Sequence, residues 1–267
     1  MKYGYCMGVN FLRDDAMARA TFDAVAEAGF DYVELPLSAL WAMQPGEMAK
    51  LNEALGTIPC RACNIFFPSG LTIVGPKRDM GEVNAYLGKM IPLAAGLGVE
   101  TLVFGSGGAR KIPDGVSREA VWDNLREVVK AMDAHAKMAG IKISVEPLNL
   151  SETDMINSYG QAVELTGGLR HVSTMIDSYH VATDGQNYDD VYKQPEALWH
   201  LHTAYPVGRM VPSPEDDISY YADFVQMVKT VGYDGKISVE GALRAEAPLD
   251  IGAEVRACLG VLKGMFE

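Results

Sequence analysis

Positive charge is scarce in this chain: 23 Lys plus Arg stand against 35 Asp plus Glu, a formal net charge of −12 with a sequence pI near 4.9. Nucleic acid and anionic lipid are recognised by clustered cations that release counterions, so nucleic acid is not expected as a partner. Cysteine is scarce as well. Cys6, Cys60, Cys63 and Cys258 are too few and too scattered for a disulfide framework, which points to a reducing compartment and hence the cytoplasm. Cys60 and Cys63 form one CxxC, but no second pair completes a zinc set, and residues three apart on a strand point to opposite faces, so the pair reads as buried packing. No run of about 18 uncharged apolar residues exists to span a membrane. Asp14 and Asp15 break the N-terminal apolar run in a way a signal peptide does not tolerate. No Gly-rich turn follows Val9 as a dinucleotide fold usually requires, and Ser178 lacks the GxSxG context of a serine hydrolase.

What is present is an ordinary globular composition, 48% hydrophobic and 22% charged over 267 residues, with no shift along the chain. A length of about 250 residues is typical of a single α/β barrel, and residues 1–267 are expected to form one domain. Helix-like stripes end in glycine and lead into strand-like runs. Ala18, Phe22, Val25 and Ala26 precede Gly29; Val121, Leu125, Val128, Val129 and Met132 precede Gly140; Gly56, Gly98 and Gly232 punctuate in the same way. The strand-like runs are Tyr3 to Val9, Tyr32 to Leu37, Cys60 to Phe67, Thr101 to Gly105, Ile143 to Leu148, Ser173 to Asp177, Trp199 to Ala204 and Lys236 to Glu240. Eight such runs alternating with helices, closed by an apolar-periodic segment from Ile251 to Phe266, predict a single-domain (β/α)8 TIM barrel.

A barrel of this kind carries its chemistry at the C-terminal ends of its strands. The fifth run ends in Glu146-Pro-Leu-Asn149, the sixth in Asp177-Ser-Tyr-His180, the seventh in His200-Leu-His202-Thr203 and the eighth in Glu240-Gly241. Two Glu, one Asp and one His converging on one rim make an O3N set suited to Mn2+, Mg2+ or Co2+. Three carboxylates packed together would raise one another's pKa, and a bound divalent ion keeps them ionised.

These motifs resemble the xylose-isomerase-like sugar isomerase and epimerase superfamily, and within it the ketose 3-epimerases of the tagatose and psicose type. The architecture matches over the whole chain, the motifs over roughly residues 140 to 245. The resemblance implies that Glu146, Asp177, His202 and Glu240 hold one divalent metal ion, most characteristically Mn2+. It implies that Glu146 and Glu240 are also the acid/base pair, epimerising a ketose or ketose phosphate at C3 through a cis-enediolate, and that Glu152, His180 and Arg209 bind the sugar. It also implies a homodimer or homotetramer. Two departures stand out. Arg209 lies seven residues after His202 where the family has six, and Val181-Ala-Thr-Asp-Gly-Gln186 replaces an acidic stretch common in the epimerases. The same site could instead serve an aldose-ketose or hydroxypyruvate isomerase, or an inosose-type dehydratase.

Other residues read more plainly. His200 shares a strand face with His202 and is expected to support or pack rather than ligate. His135 and His171 read as surface or structural. Gly105-Ser-Gly-Gly-Ala-Arg110-Lys111 is expected to be a rim loop, with a phosphate cradle as the alternative. Trp41, Phe66, Phe67, Phe104 and Tyr205 are candidates for an apolar wall of a sugar pocket. A multi-zinc endonuclease would need more than five His and a basic face, and a non-catalytic barrel would need none of the rim carboxylates.

Overall fold

The computed structural model describes the backbone of residues 1–267 and every side chain except that of Leu249. Eight parallel strands form a closed barrel in sequence order, β1 (Lys2–Cys6), β2 (Tyr32–Pro36), β3 (Cys60–Asn64), β4 (Thr101–Phe104), β5 (Lys142–Val145), β6 (Val172–Asp177), β7 (Leu198–Thr203) and β8 (Lys236–Val239), with β8 pairing back onto β1. The covering helices are α1 (Ala16–Ala28), α2 (Leu37–Trp41), α3 (Pro45–Ala54), α4 (Met80–Gly96), α5 (Arg118–Ala139), α6 (Tyr159–Thr166), α7 (Ser178–Thr183), α8 (Asp189–Lys193), α9 (Ala222–Thr230) and α10 (Pro248–Phe266). No helix among the described residues is long and apolar enough to cross a membrane.

Local chemistry explains these boundaries. Helix α1 starts where the Asp15 carboxylate accepts from the Ala18 N–H, and α5 where the Ser117 hydroxyl accepts from the Ala120 N–H. Both end at a left-handed glycine, Gly29 at φ 89° and Gly140 at φ 68°, a conformation that costs a side-chain-bearing residue more. The α5 stripe of Val121, Leu125, Val128, Val129 and Met132 is buried against the barrel, as its spacing predicts.

Several strands end before their apolar runs do, β1 at Cys6, β3 at Asn64, β5 at Val145 and β8 at Val239. Glu146 and Glu240 therefore stand just past the last ladder residue, yet their N–H groups still donate to Phe104 O (3.2 Å) and Thr203 O (3.0 Å) of the adjacent strands. Their side chains thus leave a rigid rim, not a free loop. One expectation needs correction. Cys60 and Cys63 are both buried, as expected, but their sulfurs lie 4.0 Å apart, not on opposite faces. The β2–β3 register shifts at this point, Val33 pairing with Cys60 and Glu34 with Ala62, so strict alternation fails at the start of β3.

Inside the barrel Gly4 pairs with Tyr32 on one side and Ser238 on the other. Across it the Tyr32 hydroxyl and Ser238 Oγ hydrogen bond at 2.8 Å. A Cβ on Gly4 would sit 2.2 Å from the Tyr32 ring, so glycine is the residue that lets this bond pass over β1. Gly4→Ala is therefore expected to lower the unfolding free energy by about 1–3 kcal/mol, the usual cost of overpacking, read as a lower urea midpoint at unchanged slope.

Candidate functional site

The residues that carry chemistry gather above this polar layer. Glu146 after β5, Asp177 at the end of β6, His202 in β7 and Glu240 after β8 each offer one donor atom, and those four atoms lie within 4.8 Å of one another. His202 is fully buried, and its Nδ1 donates to Glu146 Oε1 (3.1 Å) and lies 3.2 Å from Glu240 Oε2. Its Nε2 donates to Glu34 Oε1 at 3.0 Å. The second oxygen of Glu34 accepts from His200 Nε2 (3.0 Å) and from Ser238 Oγ (2.5 Å). Glu34 thereby clamps both imidazoles and turns Nδ1 of His202 toward the three carboxylates, the arrangement in which an outer carboxylate orients a ligating histidine.

The electrostatics follow from burial opposed by close charges. Burial pushes Glu34 up, but His202 and His200 overcome it and hold its carboxyl well below the usual range. Burial alone would neutralise His202, yet Glu34, Cys6, Glu240 and Glu146 raise it well above the ordinary imidazole value. For His200 burial wins over the pull of Glu34 and pushes the imidazole below its ordinary value. Glu146 is raised, chiefly by burial, against the opposing pull of His202. Asp177 is raised to about 6 by burial, with Arg209 and His202 opposing. Glu240 is buried too, but His202 and Arg209 bring it down to about 2.

Arg209 owes its position to two consecutive left-handed residues, Gly208 at φ 75° and Arg209 itself at φ 51°. Tyr205 and Met210 exchange backbone hydrogen bonds around them, and Ala242 N–H donates to Arg209 O. This tight loop absorbs the seventh residue of the His202–Arg209 spacing and returns the guanidinium to the rim. Its Nη2 contacts Glu240 Oε2 (2.7 Å) and Asp177 Oδ2 (3.2 Å), its Nη1 contacts Glu152 Oε1 (3.4 Å), and it lies 4.5 Å over the Tyr179 ring. His180 is buried, with Nδ1 accepting from Asn149 Nδ2 at 2.9 Å, while its Nε2 has no hydrogen-bond partner. Glu152 also accepts from Asn149 Nδ2, at 3.1 Å.

These groups open onto a cavity of about 780 Å3 lined by Asn64, Glu146, Glu152, His180, Arg209 and Glu240 on its polar side. All seven residues expected at the site are therefore gathered together, with Asp177 and His202 buried against the lining residues Glu146 and Glu240. Sequence reasoning underrated two others. Asn64 at the end of β3 donates from Nδ2 to Glu240 Oε1 at 2.7 Å, and Glu34 is the clamp just described. In each case the partner lies far along the chain, so no local signal in the sequence marks the pairing.

The segment after β4 is a rim loop, as expected, and its glycines line the cavity, but its arginine does not face outward. Gly107–Arg110 is a 3-10 turn, and Arg110 is fully buried, its Nη2 donating to Glu146 O (2.5 Å) and its Nη1 to Phe104 O (3.3 Å). It ties the ends of β4 and β5 together and is not available to a phosphate. Of the five aromatic candidates, Trp41 and Phe67 line the cavity; Phe66 and Phe104 pack in the core, and Tyr205 packs against Tyr220 and Tyr221.

The donor set fits a divalent ion. Three carboxylates and an oriented imidazole supply hard oxygen and borderline nitrogen ligands, and a cation there replaces the proton that His202 Nδ1 shares with Glu146 and Glu240. Fold and cluster together define a closed β/α barrel with a carboxylate–imidazole centre at its C-terminal mouth. Residues 22–259 match the xylose isomerase-like TIM barrel family, and the chain belongs to it. None of the curated proteins matches the chain in sequence. Among solved structures it resembles the 3-keto-D-glucoside 4-epimerase of E. coli at 20% identity and TM-score 0.77, over 99% of both chains. It resembles the D-psicose 3-epimerase of Clostridium cellulolyticum H10, solved with D-tagatose, at 19% identity and TM-score 0.81 over 100% of both. The IOLI protein with a bound zinc atom follows at 17% identity and TM-score 0.73, over 99% of this chain and 98% of that one. At these identities the likeness concerns the fold.

Removing the charge of the clamp tests its weight. Glu34→Gln keeps the shape but leaves buried His202 without its anion, so an apo protein less stable by about 3 kcal/mol is expected from urea unfolding, the scale on which broken buried pairs destabilise.

Proposed function

We propose that this chain is a divalent-metal-dependent isomerase that epimerises a ketose, or a ketose phosphate, at C3. The observation that carries this reading is that Glu146 and Glu240 reach one cavity from non-adjacent strands while both touch His202 Nδ1. Two carboxylates so placed can work on opposite faces of one carbon. Glu146, Asp177, His202 and Glu240 would hold the ion, for which Mn2+ is our assignment, with Mg2+ or Co2+ able to take the same ligands. When bound, the ion supplies positive charge that polarises the substrate carbonyl and acidifies the neighbouring C–H.

Glu146 is suited to take the C3 proton. Burial raises its basicity, and its Oε2 faces the cavity at Gly105, where a Cβ would come within 1.9 Å of it. C3 regains a proton on its other face from Glu240, which has first taken one from solvent because His202 and Arg209 keep it ionised at rest. Glu146 gives up the abstracted proton to solvent before the next turnover, and the opposite epimer uses the pair in reverse order. Asn64 and Arg209 grip the two oxygens of Glu240 and limit its swing. His180, whose Nε2 lies 3.5 Å from Asp177 Oδ2 without a hydrogen bond, and Arg209 are the donors for the oxygens of the sugar, which fixes C3 between the carboxylates. Glu152 accepts from a sugar hydroxyl. Free thiols support a cytoplasmic setting, and a homodimer or homotetramer is part of the same proposal.

The test is NMR of a ketose panel in D2O with metal-loaded protein and a chelated control. Deuterium at C3 with an inverted centre, abolished by the chelator, is expected. Exchange at C1 or C2 would instead make the chain an aldose-ketose isomerase, and loss of water a dehydratase. Glu146→Gln and Glu240→Gln should each reduce turnover by about 10^2- to 10^4-fold or more, the usual weight of a positioned acid/base; activity that survives either change overturns the paired mechanism.

A further inference from the structure

The cavity extends beyond the residues described above. Its lining also takes in the apolar Ala39, Trp41, Ile65, Phe67, Pro68 and Leu148, from α2 and the segments after β3 and β5, with Ser38, Ser69 and Ser106 among them. The whole volume of about 780 Å3 lies in the range of about 300–1,000 Å3 that holds ligands larger than a hexose, which has about a dozen non-hydrogen atoms.

Two features of that apolar lining are built, not incidental. Ile65 is a β-branched residue at φ 43°, a conformation strongly disfavoured for its type, and it is 45% exposed. The fold holds an apolar side chain in a strained backbone at the cavity wall directly after Asn64, the residue that grips Glu240. Ser38 N–H donates to Ile65 O at 3.1 Å and fixes it there. Trp41 is 41% exposed but not loose, since Lys89 lies 4.3 Å over its ring and Tyr86 packs against it at 5.2 Å. A rigid exposed aromatic beside an exposed aliphatic residue, joined to a polar reaction centre, is the lining of a two-part ligand.

Resting on the keto-sugar reading, we propose that the substrate is a keto sugar bearing a second unit, a glycoside or disaccharide, whose reacting ring faces Glu146 and Glu240 while the C–H face of the second unit lies on Trp41 and Ile65. The apolar lining is then a specificity-determining subsite.

The experiment compares isomaltulose and lactulose, ketohexoses carrying a second sugar, with fructose and tagatose on metal-loaded protein, reading deuterium exchange as kcat/KM and binding by calorimetry. A preference of about tenfold or more for the two-unit sugars is expected, the scale of discrimination by an apolar pocket. Trp41→Ala should lower kcat/KM for isomaltulose at least about tenfold more than for fructose, and Ile65→Gly, which also relieves the left-handed strain, should act in the same direction. Equal turnover of one-unit and two-unit sugars, or equal losses on both in both variants, overturns the subsite. If no sugar exchanges deuterium, the reaction reading fails, and calorimetry then judges the subsite alone. Tighter binding of isomaltulose than of fructose upholds it, and equal binding overturns it.

Discussion

The site depends on one buried carboxylate held between two imidazoles. Glu34, His200 and His202 are all sealed from solvent, and bringing that carboxylate out of water is costly unless its oxygens are fully engaged. They are: His202 takes one, while His200 and Ser238 share the other. The Ser238 hydroxyl in turn meets Tyr32, whose ring needs Gly4 to be bare. Orientation therefore passes from a glycine in β1 through a hydroxyl pair and a carboxylate to Nδ1 of His202, and each link fixes the next. Without the clamp the imidazole could rotate, and the three carboxylates would lose the group around which they are arranged.

A second constraint is electrical. Glu146, Asp177 and Glu240 converge at the mouth of an already acidic protein, and burial disfavours charge on each of them. His202 from below and Arg209 from above offset this unequally. Glu240 touches both cations and is held low, whereas Glu146 touches only His202 and remains raised. Two residues of one chemical type thus acquire different basicities from their neighbours alone. Arg110 adds to this indirectly by tying the carbonyl of Glu146 to that of Phe104 from within the core.

The strained positions fall where the site needs backbone in unusual places. Arg209 and Ile65, two of the three non-glycine residues with positive φ, both line the cavity. One returns a cation to the carboxylates across an extra loop residue. The other presents an apolar side chain beside Asn64. Strain of this kind persists only where surrounding contacts impose it, here the Tyr205–Met210 pairing and the Ser38–Ile65 hydrogen bond.

By itself the sequence determined the barrel and its rim. Eight apolar runs separated by helical stripes that end in glycine leave few other ways to bury both faces of every strand, and the period of each element is a local property that neighbours in the chain reveal. The carboxylates and imidazoles of β5 to β8 were legible for the same reason, since strand ends can be located from the runs themselves. Only the tertiary structure decided which polar residue meets which. Glu34 and His202 are 168 positions apart, Asn64 and Glu240 are 176 apart, and nothing local pairs them. It also decided that Arg110 turns inward, that the Cys60 and Cys63 sulfurs meet, and that Ile65 and Trp41 wall one cavity. Those outcomes rest on barrel closure, register and the entry angles of loops, which arise from the sum of contacts across strands and are not written in any single stretch of chain.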